Sequence, residues 1–305
     1  MAQLLAMARF ITSLVVLEFM GFCICLEEVA RDAVEETCLA NGSAGSPSSC
    51  RRGANVLDED EALVWLQRCN IERRPWPGRK EQLSTSSPVP YIVSRPPDCN
   101  AQLASKLGRD RLLAEMGDVI CTPSQAGSVR KGIEYMRLRE YILHWMSREV
   151  ERRPELNRYV FGEFGDDWAP LRDAYVLPPC RACVRDRVAI TIGLGGLHSG
   201  APWHFHDAAF VEVLHGRKHF AFVPPKDPAV ALIDKAIQNL SQLHWYLEER
   251  PRLERGGYLR KLQECTLHPG ELLYFPPDWH HGVVNLDPYT AFVSTFLDHR
   301  ARHDV

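Results

Sequence analysis

The 305-residue chain has no surplus of basic charge: 36 Lys and Arg stand against 39 Asp and Glu, for a formal net charge of -3. A nucleic-acid surface normally shows a basic excess or stripe. Isolated pairs such as Arg51-Arg52 and Arg73-Arg74 read as solvated loop charge, so no nucleic acid is expected as a partner. The chain also has no internal repeat and no low-complexity block. With 45% hydrophobic and 25% charged residues, its composition is that of a globular protein, which excludes collagen, coiled coil or disorder as a description of the whole. Beyond its first segment it has no apolar run long enough to span a bilayer.

That first segment has its own chemistry. Arg9 precedes an apolar run from Phe10 to Leu17, Glu18 interrupts it, and a second run from Phe19 to Leu26 leads into Glu27-Glu28. A basic start, an apolar stretch and small residues before a polar segment predict a secretory signal peptide over 1–25, with an uncleaved signal anchor as the rival. The carboxylate of Glu18 within the stretch favours cleavage. Of ten cysteines, two fall in this segment, and the even remainder suits an oxidising compartment where disulfides persist. The sequons Asn41-Gly42-Ser43 and Asn239-Leu240-Ser241 agree with a glycoprotein of that compartment. The expected location is the endoplasmic reticulum lumen or the cell exterior, with no membrane span in the mature chain. The closing Arg302-His303-Asp304-Val305 is not a standard retention tail and leaves both destinations open.

Residues 26–60, acidic and then rich in Ser and Gly, read as a flexible lead-in, followed by a folded region over 61–298 and a short tail over 299–305. Val89 to Ser94 reads as a strand. Ala101 to Glu115 and Ile133 to Arg152 carry helical spacing, the second with Tyr135, Leu138, Tyr141, Ile142 and Trp145 on one face. Past about residue 155 the pattern changes to short apolar runs separated by Gly and Pro: Val188–Leu194, Ala209–His215, Lys218–Val223, Glu271–Phe275, Gly282–Leu286 and Ala291–Leu297. Such spacing predicts a sandwich or barrel, mainly β, interrupted by a helical insert from Pro228 to Leu262.

The chemistry concentrates in this β half. In Trp203-His204-Phe205-His206 the two histidines are two apart, so an extended backbone turns both imidazoles to one face. His281 closes the stretch Gly270-Glu271-Leu272-Leu273-Tyr274-Phe275-Pro276-Pro277-Asp278-Trp279-His280-His281. Three ligands from two segments, with other positions open, is how a barrel mouth holds a catalytic metal. Adjacent strand residues point oppositely, so at most one of His280 and His281 is a ligand. His215 and His219 flank a hairpin turn and are expected to be exposed. Cys180-Arg181-Ala182-Cys183 has redox or metal spacing. It lacks a second pair and a thioredoxin-like β-α-β setting, so a local disulfide is expected.

The pair His204 and His206 is followed by a hairpin, Phe210 to Leu214, a turn at Gly216-Arg217, and Lys218-His219-Phe220-Ala221-Phe222-Val223-Pro224-Pro225. Together with the Gly-Glu-x-x-Tyr-Phe-Pro strand ending at His281, this resembles the jumonji-C family of 2-oxoglutarate-dependent oxygenases. The resemblance extends to Cys69-Asn70-Ile71-Glu72-Arg73-Arg74, Arg109-Asp110-Arg111-Leu112-Leu113, Phe161-Gly162-Glu163, Asn285-Leu286-Asp287 and Ser294-Thr295-Phe296-Leu297, covering roughly 69–297. It implies a double-stranded β-helix, the jelly-roll or cupin-like barrel, with flanking α-helices. It implies His204 and His281 as the first and last metal ligands, with His206 completing the set, and Lys218 as the partner of the far carboxylate of 2-oxoglutarate. It implies Fe(II) and 2-oxoglutarate as cofactors, and a protein substrate or protein partner.

The departure from the family lies at position 206, where active members usually carry Asp or Glu. Two histidines and one carboxylate form the facial triad of non-haem iron oxygenases, and His206 removes one negative charge from it. Asp207 faces the other way in an extended segment unless a bulge re-aims it. Glu212 is a stand-in carboxylate or, more simply, a strand surface residue. Ala201 and Ala209 occupy positions where the family offers hydroxyl or amide groups. Two readings follow: a metal-dependent dioxygenase of the protein-hydroxylase type, and an inactive jumonji-C fold kept as a binding or scaffold protein of the lumen.

Overall fold

The computed structural model describes residues 64–125, 134–146, 158–161, 165–236 and 242–297, all within the unit Val56–Val305. The expected signal peptide, the lead-in over 26–60, both sequons, Cys38, Cys50 and the tail over 299–305 lie outside the described residues.

The strands run in chain order β1 (Glu72–Arg74), β2 (Tyr91–Ser94), β3 (Ile120–Cys121), β4 (Ser124–Gln125), β5 (Met136–Arg137), β6 (Arg158–Phe161), β7 (Ala189–Gly195), β8 (Ala209–His215), β9 (Lys218–Val223), β10 (Gln263–Leu267), β11 (Glu271–Phe275), β12 (His280–Asn285) and β13 (Thr290–Phe296). A large sheet has the order β1-β2-β11-β8-β13-β7-β6-β4, a smaller one β10-β9-β12, and β3 pairs with β5 apart from both. Every pairing in the two main sheets is antiparallel except β1 with β2.

Side-chain alternation turns the two sheets into a filled barrel. On β9, Phe220 and Phe222 point inward, and on β12 Val283 does, while Ala221, Val223 and Val284 face outward. From the large sheet Val211, Val213, Leu273, Phe275 and Phe292 join the same interior cluster. Two inward positions on β7 are glycines, for a packing reason: a Cβ on Gly193 would run into the Phe292 ring, and one on Gly195 into the Asn285 amide. Between β13 and β8 the register slips at Ala291/Phe292, a bulge-type irregularity that re-aims side chains locally. The hairpin from β8 to β9 turns at Gly216, whose φ of 68° is accessible to glycine without strain. The result is the jelly-roll arrangement expected from the resemblance.

Helices cover both outer faces. Leu103, Leu112, Leu138, Tyr141 and Leu171 pack on Ile190, Ile192 and Leu194 of β7. The helix Pro228–Ala236 and the consecutive runs Gln242–His244, Trp245–Glu249 and Arg250–Arg255 lie over the outer face of the small sheet. Arg250 binds Glu264 of β10 through both terminal nitrogens, one bond measuring 2.7 Å. Both partners are buried, so the bidentate geometry offsets the cost of bringing two charges out of water. Among the described residues no helix is long and apolar enough to cross a membrane.

Several local readings are corrected. The helical spacing from Ile133 gives way to strand β5, because Met136 and Arg137 pair with Cys121 and Ile120. Helix begins only at Leu138 and continues as a π-helical turn, Tyr141–Trp145. Tyr135, assigned to the apolar face, is 71% exposed. The helix expected over Ala101 to Glu115 is two, Ala101–Lys106 and Arg109–Met116, divided where Gly108 leaves helical geometry at ψ 130°. Strands β6 and β10 had no counterpart in the sequence reading.

A disulfide joins Cys69, just ahead of β1, to Cys265 in β10, a sequence separation of 196. It clips the N-terminal edge of the folded unit to the small sheet. Replacing both cysteines by Ser is expected to lower the unfolding free energy by about 2–5 kcal/mol, read by denaturant titration. An unchanged midpoint would show that the bond carries no stability.

Candidate metal centre

His204 and His206 lie in an extended segment between β7 and β8 that belongs to no strand. An antiparallel bridge pairs it with β12 at the histidines: the His204 N–H donates to the His281 carbonyl (2.9 Å) and the His281 N–H to the His204 carbonyl (2.8 Å). The far end is held by the Asp278 N–H, which donates to the His206 carbonyl at 2.9 Å. Alternation does the rest. Trp203 packs edge-on against Trp245 on the outer side, Phe205 is exposed, and the two imidazoles between and beyond them face His281.

The three rings form one cluster, with centroids 4.2, 4.7 and 5.5 Å apart and one potential ligand atom from each lying within 4.8 Å of the others. Their tautomers follow from the backbone. Nδ1 of His204 lies 2.7 Å from the Pro202 carbonyl, that of His206 2.7 Å from the Asp207 carbonyl, and that of His281 2.9 Å from the Trp279 carbonyl. A carbonyl only accepts, so each Nδ1 carries the proton and each Nε2 keeps a free lone pair. Burial favours the same neutral form: it pushes His204 down to about 4, lowers His206 against the opposing pull of Asp207, and lowers His281 well below the usual value, neighbouring imidazoles adding to the effect at His204 and His281. Aromatic rings wall the cluster, with Phe275 beside both His206 and His281, Phe296 beside His206 and Phe222 beside His281. Three neutral imidazoles whose second nitrogens are already engaged fit a divalent transition metal.

Lys218 is buried on the inward face of β9. Its Nζ donates to the Tyr159 hydroxyl (2.9 Å) and to Oδ1 of Asn285 (3.2 Å) and lies 4.2 Å from the centre of the Phe292 ring. Asn285 is fixed in turn by donating to Oγ of Ser199 at 3.0 Å, and Ser199 donates to the Gly196 carbonyl. No carboxylate forms an ion pair with Lys218 among the described residues, and burial lowers its pKa well below the usual value. Such a cation is expensive to keep charged without an anion beside it. Tyr159 and Asn285 were not among the sequence-predicted site residues. The alternation Arg158-Tyr159-Val160-Phe161 was the available signal for the first, but at four residues it is short.

Other expectations divide. Glu212 is neither a ligand nor a surface residue: it lies buried on the outward side of β8, accepting from Arg95 (2.7 Å) and Asn100 (2.9 and 3.0 Å). His219, expected to be exposed, is fully buried with Nδ1 2.9 Å from Thr266 Oγ1, because β9 turns it under the covering helices. His215 is half-buried, its Nε2 against the Ala104 carbonyl. His280 faces away from the cluster and meets Phe205, as the alternation required. Cys180 and Cys183 form the expected local disulfide.

Comparison with known proteins agrees with this architecture. The model of the cupin-like domain matches residues 127–303. The chain is 32% identical over 245 residues to "JmjC domain-containing protein 8" of Rattus norvegicus, covering 79% of this chain and 87% of that one. It is 31% identical over 240 residues to the Homo sapiens protein of the same name, covering 77% and 86%. A shorter match, 34% over 146 residues, is to "Lysine-specific demethylase JMJ21" of Arabidopsis thaliana, covering 44% of this chain and 14% of that protein. The barrel, the histidine cluster facing into it and these matches place the chain in the JmjC domain family, with a cupin-like domain.

Proposed function

We propose that the chain is a metal- and 2-oxoglutarate-dependent dioxygenase of the protein-hydroxylase type that works in the secretory pathway, in the endoplasmic reticulum lumen or after secretion. The observation that carries this reading is the pairing of three converging neutral imidazoles with a buried lysine on the same barrel interior that has no counter-ion among the described residues. The two disulfides among the described residues support an oxidising compartment.

Nε2 of His204, His206 and His281 would hold Fe(II). Bound iron with 2-oxoglutarate supplies an oxidative decarboxylation to succinate and CO2 that is coupled to hydroxylation of a C–H bond. Lys218 and the Tyr159 hydroxyl would receive the far carboxylate, with Asn285 orienting the ammonium. Phe222, Phe275 and Phe296 keep water away from the imidazoles. Partial exposure of His204 and His206 leaves a face open toward a protein substrate.

His206 favours a second reading, a binding or scaffold protein that retains the fold without the chemistry. An all-imidazole set is neutral, so it balances less of the metal's charge than a set with one carboxylate. Anaerobic titration of the protein with Fe(II) and 2-oxoglutarate separates the two. The oxygenase reading expects metal-dependent 2-oxoglutarate binding, weakened roughly 10–100-fold in Lys218→Ala, the range for a hydrogen bond to a charged group. Absence of binding in the native protein, with binding gained in His206→Asp, would establish the scaffold reading instead.

Lys218 also makes a pH signature. Because its folded-state pKa is depressed, the unfolded chain binds more protons than the folded one between that value and the unfolded value. Stability therefore rises with pH across this window and is lost as pH falls through the folded-state pKa. Relative to Lys218→Met, which does not titrate there, the native protein should gain stability from neutral pH toward 10.5, by at most a factor of about ten in the folding equilibrium per pH unit. Denaturant unfolding at several pH values reads this, and a flat difference would mean that the lysine is not desolvated. Binding of a dicarboxylate should draw a proton onto Lys218, visible by calorimetry in buffers of different ionisation enthalpy.

A further inference from the structure

The two disulfides among the described residues differ in the loop that each closes. Cys69 is exposed but Cys265 is buried in β10. That bond spans a sequence separation of 196 and ties the edge of the folded unit to the small sheet, so the packing of the fold itself holds its two sulfurs together against reductant. That bond is a staple.

Cys180 and Cys183 are only three apart in sequence. Closing so short a loop removes little entropy from the unfolded chain, and the bond ties no two elements together. It sits in a tight turn before β7, where the Cys183 N–H donates to the Cys180 carbonyl at 3.1 Å. Cys180 is covered by Tyr91, Phe210 and Tyr274 on the outer face of the large sheet, away from the barrel interior. Cys183 is half-exposed.

The surface around it is apolar and basic. Val176 and Val184, 48% and 46% exposed, are two of the eight exposed large apolar side chains among the described residues, and they bracket the turn. Arg181, Arg185 and Arg187 are exposed next to it in sequence; Arg185 pairs with Asp173 at 4.0 Å, and Asp186 is the single acid between residues 174 and 188. Exposed cations favour the thiolate form of an incoming sulfur, and exposed valines give a polypeptide something to pack on.

We propose that Cys180–Cys183 is a thiol–disulfide exchange site for cysteine-bearing polypeptides, separate from the metal centre. A client thiolate attacks Sγ of Cys183, forming a bond between the client sulfur and Cys183 as the bond to Cys180 breaks. Cys180 leaves as a thiolate and takes a proton from solvent. A second client thiolate attacks the client sulfur of this mixed disulfide, and Cys183 leaves as a thiolate that is protonated in turn. Two client thiols are thereby oxidised to one disulfide, and the protein's disulfide is reduced to two thiols. A small disulfide such as oxidised glutathione restores it by the same exchange run in reverse.

The test uses the full oxidised chain in graded mixtures of reduced and oxidised glutathione, quenched with acid, alkylated and read cysteine by cysteine by mass spectrometry. Cys180–Cys183 should open first, on the order of tenfold or more ahead of Cys69–Cys265. In Cys180→Ala a glutathione adduct should accumulate on Cys183, whereas in Cys183→Ala the covered Cys180 should stay unmodified. Val176→Asn with Val184→Asn should slow exchange with a cysteine-bearing peptide and leave exchange with glutathione unchanged. The proposal is overturned if Cys69–Cys265 opens first, if Cys180–Cys183 resists reductant until the chain unfolds, or if both single variants take up glutathione equally. The opening order is measured on the native chain and does not depend on any variant folding.

Discussion

One backbone bridge, between His204 and His281, organises the site. It makes two residues far apart in sequence into cross-strand neighbours, with their amides exchanging both hydrogen bonds. The segment before β8 thereby acquires the alternation of a strand without being one. Trp203 goes to the packed outer side, His204 and His206 to the interior, and Phe205 to solvent. Further back the same segment stays tied to β12, where the Val283 N–H donates to the Ala201 carbonyl at 3.0 Å and the Asn285 N–H to the Ser199 carbonyl at 2.7 Å, so the bridge carries that pairing forward to the histidines.

The second constraint is volume. The barrel interior is filled largely by aromatic and branched side chains, and the only inward strand positions on β7 that adjoin Phe292 and Asn285 are glycines. Small opposite large keeps the sheets in contact, and Asn285 is placed where it can accept from Lys218. Packing on one side of the barrel thus decides where the buried charge on the other can sit. Among the described residues the fully buried Arg–Glu pairs, Arg95 with Glu212 and Arg250 with Glu264, both lie outside this interior. Lys218 is left with neutral partners.

Much of this was legible from sequence. The strands β8, β9 and β11 were read at their observed limits because alternation, Gly and Pro agree there, and His204, His206 and His281 come together as two-residue spacing and a late strand suggested. What was not legible depends on contacts between segments distant in sequence. Tyr135 to Trp145 has a helical apolar period, but its first residues find strand partners at Ile120 and Cys121, and cross-strand pairing outweighs periodicity. Tyr159 and Asn285 are ordinary polar residues until the barrel closes around Lys218. Glu212 looks like a surface carboxylate on its strand because nothing nearby in sequence announces Arg95 and Asn100. His219 was misjudged for the same reason, since the helices that cover it are contributed by a later insert.

The hydrogen bonds that fix the imidazole tautomers run to the carbonyls of Pro202, Asp207 and Trp279. In many metal sites the second partner of a ligating histidine is a carboxylate side chain, which one substitution deletes. Here the acceptors are main-chain atoms, present whatever residue occupies those positions. The protonation pattern of the cluster is therefore written into the path of the backbone and is insensitive to replacement of its acceptor residues. Mutational drift at 202, 207 and 279 can alter the surroundings of the site while its three nitrogen lone pairs keep their orientation.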